Sequence, residues 1–261
     1  MIQSKLLLQF PELVHGYSDR LDGDMGAKRL AGETYGANEQ AKWLANRQRI
    51  FDRLGIPTSQ VILARQTHSA TVESLNLTHM GKAHDNLATF ASADSFILTD
   101  PDIFATVFTA DCLPIFCYEP KKRIVAAMHA GWRGIASGII KTSIMQIRSS
   151  GGMIEDLRVW IGPHIKVCHY DADPTVDSFV EKQKAFQNAP GILIEKGNKK
   201  MIDLTALAVR QLTEASVFDQ HLEIGDCTVC EREKYYSYHA VHGKNIGRMM
   251  GVIGVRNSDG S

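Results

Sequence analysis

From about residue 35 onward the chain alternates short apolar runs with longer amphipathic ones, the pattern of a mixed α/β architecture. Residues Asn38 to Leu54 carry apolar positions at helical spacing, with Asn38 as a candidate cap and Gly55 and Pro57 beyond the far end. Val61 to Ala64 then reads as a short strand that ends in Arg65-Gln66-Thr67-His68. Asp94 to Leu98, Phe104 to Phe108, Ile115 to Tyr118 and Arg123 to Met128 are β-branched or aromatic runs. Their connections are too brief for helical crossovers, so neighbouring and partly antiparallel strands are expected. Ile135, Ile139, Ile140, Ile144 and Ile147 recur at helical spacing after Gly134 and predict a helix, and Leu157 to Ile161 is strand-like before Gly162-Pro163. Asp173 to Gln187 and Asp203 to Val217 read as further helices, and Arg248 to Val255 as a last strand before a frayed NSDGS tail.

Composition narrows the classes. The 261 residues hold no Pro-, Gly- or Ser-rich linker, so residues 1–261 are expected to form a single domain. The 29 basic and 29 acidic residues cancel, leaving no electrostatic footprint for nucleic acid or an anionic membrane. Small molecules are the expected partners. The opening MIQSKLLLQFPELVHG is cut off by Pro11 and Glu12 and lacks a cleavage site, and no later run reaches the length of a membrane span, which predicts a cytoplasmic protein. Five cysteines show no disulfide framework and fit reduced thiols.

Candidate chemistry concentrates between Thr109 and Gly134, TADCLPIFCYEPKKRIVAAMHAGWRG. His68, Cys112 and His129 all fall at the ends of strand-like runs, where loops converge on a site built over a rigid sheet. Two imidazoles and one thiolate leave a fourth position open on zinc, the arrangement of a catalytic site. Copper is disfavoured: an extended Arg123–His129 turns Met128 away from His129, and no His-x-His pair exists from which a multicopper cluster could be assembled. Arg133, before the Ile135 helix, is a candidate anion contact or a surface arginine stacked on Trp132. Arg20 is a second candidate cation, or a partner of Asp19 and Asp22. Asp111 can shuttle protons or only orient a loop, and His164 can line the cleft or cap a turn. Cys227-Thr228-Val229-Cys230 is a lone Cys-x-x-Cys without a second pair and reads as ordinary thiols. His79, His84, His221 and His242 lie in polar surroundings and read as solvated.

Gln66-Thr67-His68, Ala110-Asp111-Cys112-Leu113-Pro114-Ile115, His129-Ala130-Gly131-Trp132-Arg133-Gly134 and Gly162-Pro163-His164-Ile165 together resemble the YfiH-like, or laccase-domain, family. The resemblance extends from His15-Gly16-Tyr17-Ser18 to Tyr236-Ser237-Tyr238 and Gly247-Arg248. It implies a single-domain layered α/β sandwich with a mixed, partly antiparallel sheet flanked by helices. It also implies zinc held by His68, Cys112 and His129, and phosphorolysis of adenosine, inosine and S-methyl-5'-thioadenosine with adenosine deamination beside it. The substrates would then be purine nucleosides and phosphate, with Arg20 matching the arginine of the early motif. Leu21-Asp22-Gly23-Asp24-Met25-Gly26 departs from the family's double-glycine turn, and His239 stands where an arginine often follows the Ser-Tyr pair. Three alternatives stay open: a cysteine-type hydrolase editing peptidoglycan precursors, a polyphenol oxidase of the kind the family was first labelled, and a metabolite- or partner-binding module with a structural zinc.

Overall fold

The computed structural model describes residues 1–26, 36–63, 65–79, 92–171, 191–241 and 246–257. Among these, strand β1 (Leu13–Tyr17) precedes helix α1 (Ala37–Leu54), and strands β2 (Val61–Ile62), β3 (Val72–Leu75), β4 (Ser95–Leu98), β5 (Phe104–Thr109), β6 (Leu113–Glu119) and β7 (Ile124–Ala130) follow. Helices α2 (Trp132–Ala136) and α3 (Ile139–Ser149) lead to β8 (Arg158–Ile161). A hairpin of β9 (Leu193–Lys196) and β10 (Lys199–Ile202), helix α4 (Leu204–Glu214), β11 (Leu222–Ile224) and β12 (Met249–Val255) complete the described order. The helix expected over Asp173 to Gln187, the end of the expected strand at Ala64, His84, His242 and most of the NSDGS tail lie outside the described residues.

Apart from Glu119 at the end of β6 and His129 near the end of β7, these two central strands are almost wholly apolar, so both of their faces must be covered. Along β6 and β7 all seven residues of each strand are buried. One face carries Ile115, Cys117, Ala126 and Met128 against the isoleucines of α2 and α3, together with Leu207 and Ala208 of α4. The opposite face carries Phe116, Tyr118, Val125 and Ala127 against Tyr17, Val107, Met249 and Ile253 of a second sheet. That second sheet buries its outer face, Phe104, Phe108 and Val252, under Ile50, Phe51 and Leu54 of α1. The result is four layers, helix, sheet, sheet, helix, within a single-domain α/β fold.

One sheet therefore becomes two. The first has the order β1-β12-β5-β2 and the second β11-β8-β6-β7-β4-β3. Both are mixed: β4, β7, β6 and β8 run antiparallel in series, while β2 joins β5, β3 joins β4 and β11 joins β8 in parallel. The short apolar runs do lie where expected, but β5 leaves its chain neighbours to pair with β12, Val107 opposite Gly251. With β5 in one sheet and its chain neighbours β4 and β6 in the other, the chain passes between the sheets both on entering and on leaving β5.

Several local readings shift by a turn or less. Helix α1 starts at Ala37 with Gly36 as its N-cap, so Asn38 lies inside the first turn instead of capping it. Its end is as read: Gly55 takes φ 63, and the amide of Ile56 donates to Phe51 O at 2.8 Å, satisfying a carbonyl the helix leaves over. The isoleucine stripe is split by Ser137 and Gly138, where φ 88 at Gly138 ends α2 and starts α3 on a new axis. Asp203 caps α4 by accepting from the Ala206 amide at 2.8 Å. No helix among the described residues is long and apolar enough to cross a membrane.

Candidate metal centre

His68, Cys112 and His129 come together at the edge where the chain passes between the two sheets. Their donor atoms lie within 4.8 Å of one another, with Cys112 Sγ 3.9 Å from His68 Nε2 and the two imidazole centroids 4.8 Å apart, edge to face. His129 sits at the end of β7 and is 3% exposed. Met128 packs among the apolar residues of the helical face, so the two neighbours do point apart. Cys112 occupies the link between β5 and β6, and His68 the loop after β2. Gln66 fixes that loop by mimicking a strand: its amide donates to Phe108 O at 2.7 Å and accepts from Phe108 N at 2.6 Å.

Asp94, buried just before β4, organises all of this. One carboxylate oxygen accepts from His129 Nδ1 at 2.8 Å. The same carboxylate accepts the backbone amides of Thr67, His68 and Ser69 and the Ser69 hydroxyl at 2.7 to 3.2 Å. Those amides hold His68 at φ 59, a backbone region that costs a non-glycine residue free energy, so the imidazole is aimed at Cys112 against local preference. Because His129 Nδ1 is committed to Asp94, Nε2 faces the thiol. Burial alone would raise the Cys112 thiol, but the adjacent imidazoles of His129 and His68 draw it down to about 6. Burial would likewise lower His129, yet Cys112 and Asp94 raise it to about 9. Asp94 itself is held far below the ordinary carboxylate range, because its hydrogen bonds and the His129 charge outweigh burial.

The donor set fits zinc on two observations. Two imidazole nitrogens and a readily ionised thiolate converge with no fourth protein ligand in the group among the described residues, leaving an open position. Space is kept for it by Gly131, where an added Cβ would lie 3.1 Å from both Cys112 Sγ and His68 Cδ2.

The other candidates fall in different roles. Arg133 is exposed and its guanidinium lies 4.1 Å over the Trp132 ring. Arg20 donates to Arg232 O at 2.9 Å and lies over Tyr236. Asp111, at φ 102, has both carboxylate oxygens engaged: Oδ1 accepts from the Thr228 hydroxyl at 2.6 Å and Oδ2 from the His239 amide at 2.8 Å. These bonds tie the loop that carries Cys112 to the segments at Thr228 and His239. His164 is fully buried, with Nδ1 against Gly162 O and Nε2 against Thr205 Oγ1, each at 2.7 Å. Both its nitrogens are hydrogen-bonded within the protein. Tyr17, bonded to Thr109 and close to Asp111 and Cys112, is a neighbour of the site that sequence reasoning did not single out.

The buried histidines carry a pH consequence. Burial holds His164 and His15 at about 4. Between pH 6.5 and 4 the unfolded chain takes up protons that the folded chain refuses, so stability falls with pH by roughly 2 kcal/mol per histidine from 6.5 to 5. His129 is shifted the other way, and its stabilisation is lost at higher pH, between 6.5 and about 9. Urea unfolding midpoints should therefore drop between pH 6.5 and 5, and a flat midpoint would show that these rings are protonated in the fold.

The four-layer fold and its three-donor centre define an α/β protein with a metal-capable cluster. The multi-copper polyphenol oxidoreductase laccase family matches residues 25–256, and the chain belongs to this family, also known as YfiH-like. It is 32% identical to a purine nucleoside phosphorylase of Haemophilus influenzae, over 93% of this chain and 95% of that protein. It is 28% identical to adenosine deaminase RL5 of an unknown prokaryotic organism, over 84% of this chain and 82% of that one. The crystal structure of YlmD from Geobacillus stearothermophilus shares the fold with a TM-score of 0.83 at 24% identity, covering 97% of this chain and 94% of that one. Membership of this family, with its metal-capable cluster, points to an enzyme.

Proposed function

We propose that this chain is a zinc-dependent purine nucleoside phosphorylase acting on adenosine, inosine and S-methyl-5'-thioadenosine, with adenosine deamination at the same centre. The observation that carries the reading is the convergence of His68 and His129 on Cys112 with a position left open. The names of the Haemophilus relative and of RL5 supply the two chemistries. Zinc bound by these residues would act as a Lewis acid and make water a stronger acid.

The remaining work falls to the chain itself. In phosphorolysis a phosphate oxygen bonds to the ribose anomeric carbon as the glycosidic bond breaks, and the departing purine keeps the electron pair and takes up a proton. Arg133 is the proposed phosphate contact. Trp132 holds the face of its guanidinium, which leaves the N–H edge free to meet two phosphate oxygens. Arg20 is the second proposed cation. Asp94 holds the proton at His129 Nδ1 and so fixes which nitrogen faces the centre. Asp111 and His164, their polar atoms already paired, support the loops instead of meeting substrate.

A second reading is favoured by one feature. Asp94, His129 and Cys112 form the orienter, base and nucleophile of a cysteine-type hydrolase, with a thiol near 6 and an imidazole near 9. Such a triad needs one imidazole, however, and the strained backbone at His68 delivers a second to the same sulfur. The deciding experiment incubates the purified chain with adenosine, inosine and S-methyl-5'-thioadenosine, with and without phosphate, and identifies the products. Free base with a ribose 1-phosphate, lost on chelation and restored by Zn2+, is the expected result. No base release from any nucleoside, together with rapid Cys112 alkylation that chelators do not change, would overturn the reading in favour of the hydrolase.

A further inference from the structure

A second group of donors lies apart from the centre described above. Cys168, His169, Cys227 and Cys230 have their donor atoms within 4.8 Å of one another. Residues 227 and 230 come from the Cys-x-x-Cys read above as ordinary thiols, a reading made without sight of any partner. The partners sit about sixty residues earlier, in the turn after β8. There the amides of His169 and Tyr170 both return to Lys166 O, at 3.0 and 3.1 Å, which puts the adjacent Cys168 and His169 on one side of a tight turn. The two segments run side by side: His164 bridges Cys227 in parallel, the His164 amide donates to Asp226 O and the Thr228 amide to His164 O.

The spacing of the donors is the strongest evidence. Zinc with bonds of about 2.3 Å to sulfur and about 2.0 to 2.1 Å to nitrogen requires tetrahedral edges of about 3.8 Å between sulfurs and about 3.5 to 3.6 Å between sulfur and nitrogen. Cys168 Sγ lies 3.6 Å from Cys227 Sγ and 3.7 Å from Cys230 Sγ. His169 Nδ1 lies 3.3, 3.9 and 3.5 Å from the sulfurs of Cys168, Cys227 and Cys230. Contacts between sulfurs confer little stability on their own, whereas a shared cation gives each donor a reason for its place. Backbone amides support the same geometry. Burial raises the Cys227 thiol, but amide donors from Cys230, Lys166 and Val229 and the His169 ring bring it down to about 7.

We propose that Cys168, His169, Cys227 and Cys230 bind a second zinc ion in a closed, four-ligand structural site. Three thiolates and one imidazole fill the tetrahedron, so no position is left for substrate, and binding displaces the thiol protons into solvent. The consequence reaches the first centre through Asp111. The segment after β8 donates to its carbonyl from the Ile165 amide at 2.9 Å, and the Cys-x-x-Cys segment donates to its carboxylate from the Thr228 hydroxyl. Tying the two segments together therefore braces the residue before Cys112, which holds a φ of 102. The inference stands whether or not the nucleoside reading does.

The test counts metal in the full-length chain with the first centre removed. A Cys112→Ala chain, reconstituted with Zn2+ and freed of excess metal, should retain one zinc per chain. A chain carrying C112A, C168S and C230S together should retain none. Iodoacetamide footprinting of the unsubstituted protein, read peptide by peptide, keeps the test independent of how the variants fold. Cys168 and Cys230 are exposed, yet they should resist alkylation until a chelator is added. Alkylation of both at the same rate with and without chelator, or a disulfide among the three cysteines with no zinc retained by the C112A chain, would overturn the proposal.

Discussion

Replacing Cys112 with alanine is expected to strip zinc from the first centre and to lower phosphorolysis by about a thousandfold or more, the equivalent of roughly 4 kcal/mol of lost transition-state stabilisation. The substitution removes the only charged ligand of the three. Two imidazoles remain, His129 still bonded to Asp94, without the sulfur donor and the negative charge that hold a divalent cation. The fold should survive, because Cys112 sits in a link between strands and the apolar residues packed on either side of β6 do not include it. A hydrolase would lose activity just as completely, so loss alone decides nothing. The discriminating measurement is zinc content against the unsubstituted protein, with circular dichroism to confirm the fold. Loss of one zinc equivalent together with turnover supports the metal-centred reading. Full inosine phosphorolysis by a C112A chain that has lost the zinc of the first centre would sink it.

Much of the architecture was legible because the signals were local. The isoleucines of α2 and α3 announce a helical face whatever they pack against, and Gly55 announces a helix end. The uninterrupted apolar runs of β6 and β7 showed burial on both sides, yet could not show that one cover was a second sheet. That depends on β5 pairing with β12 across about 145 residues, a choice no local pattern records. The strand β1 was likewise invisible: Leu13-Val14-His15-Gly16-Tyr17 becomes a strand because β12 lies beside it. The three donors of the first centre could be picked out because reactive side chains at strand ends beside glycine are a recognisable combination. Cys168 and His169 were not joined to Cys227 and Cys230, since the two pairs meet only through the parallel bridge at His164. Asp94 escaped for a different reason. At the start of the run Asp94 to Leu98 it reads as one more strand residue, and only the folded chain shows its carboxylate surrounded by donors.

That enclosure makes Asp94 the substitution with the next largest expected effect. Asp94→Asn preserves the shape but replaces an oxygen acceptor with an NH2 group, and the carboxylate now accepts from His129, the Ser69 hydroxyl and three successive amides. An asparagine cannot satisfy both oxygens' donors, so either His129 turns or the His68 loop relaxes out of its strained backbone. Zinc affinity should fall about 10- to 100-fold, the usual cost of losing a carboxylate that orients a ligating histidine. Asp94→Ala should be worse than Asp94→Asn. It takes the shared acceptor from the amides of Thr67, His68 and Ser69 on a partly exposed loop. Each amide that water does not reach costs about 1 to 3 kcal/mol, and the rest simply free His68 from its strained backbone. Zinc titration against a chromophoric chelator, paired with urea unfolding, separates the two outcomes. The asparagine chain should lose affinity with little loss of stability, and the alanine chain should lose both. Equal zinc affinity in all three proteins would show that the imidazoles are held by packing alone and that Asp94 is a structural carboxylate.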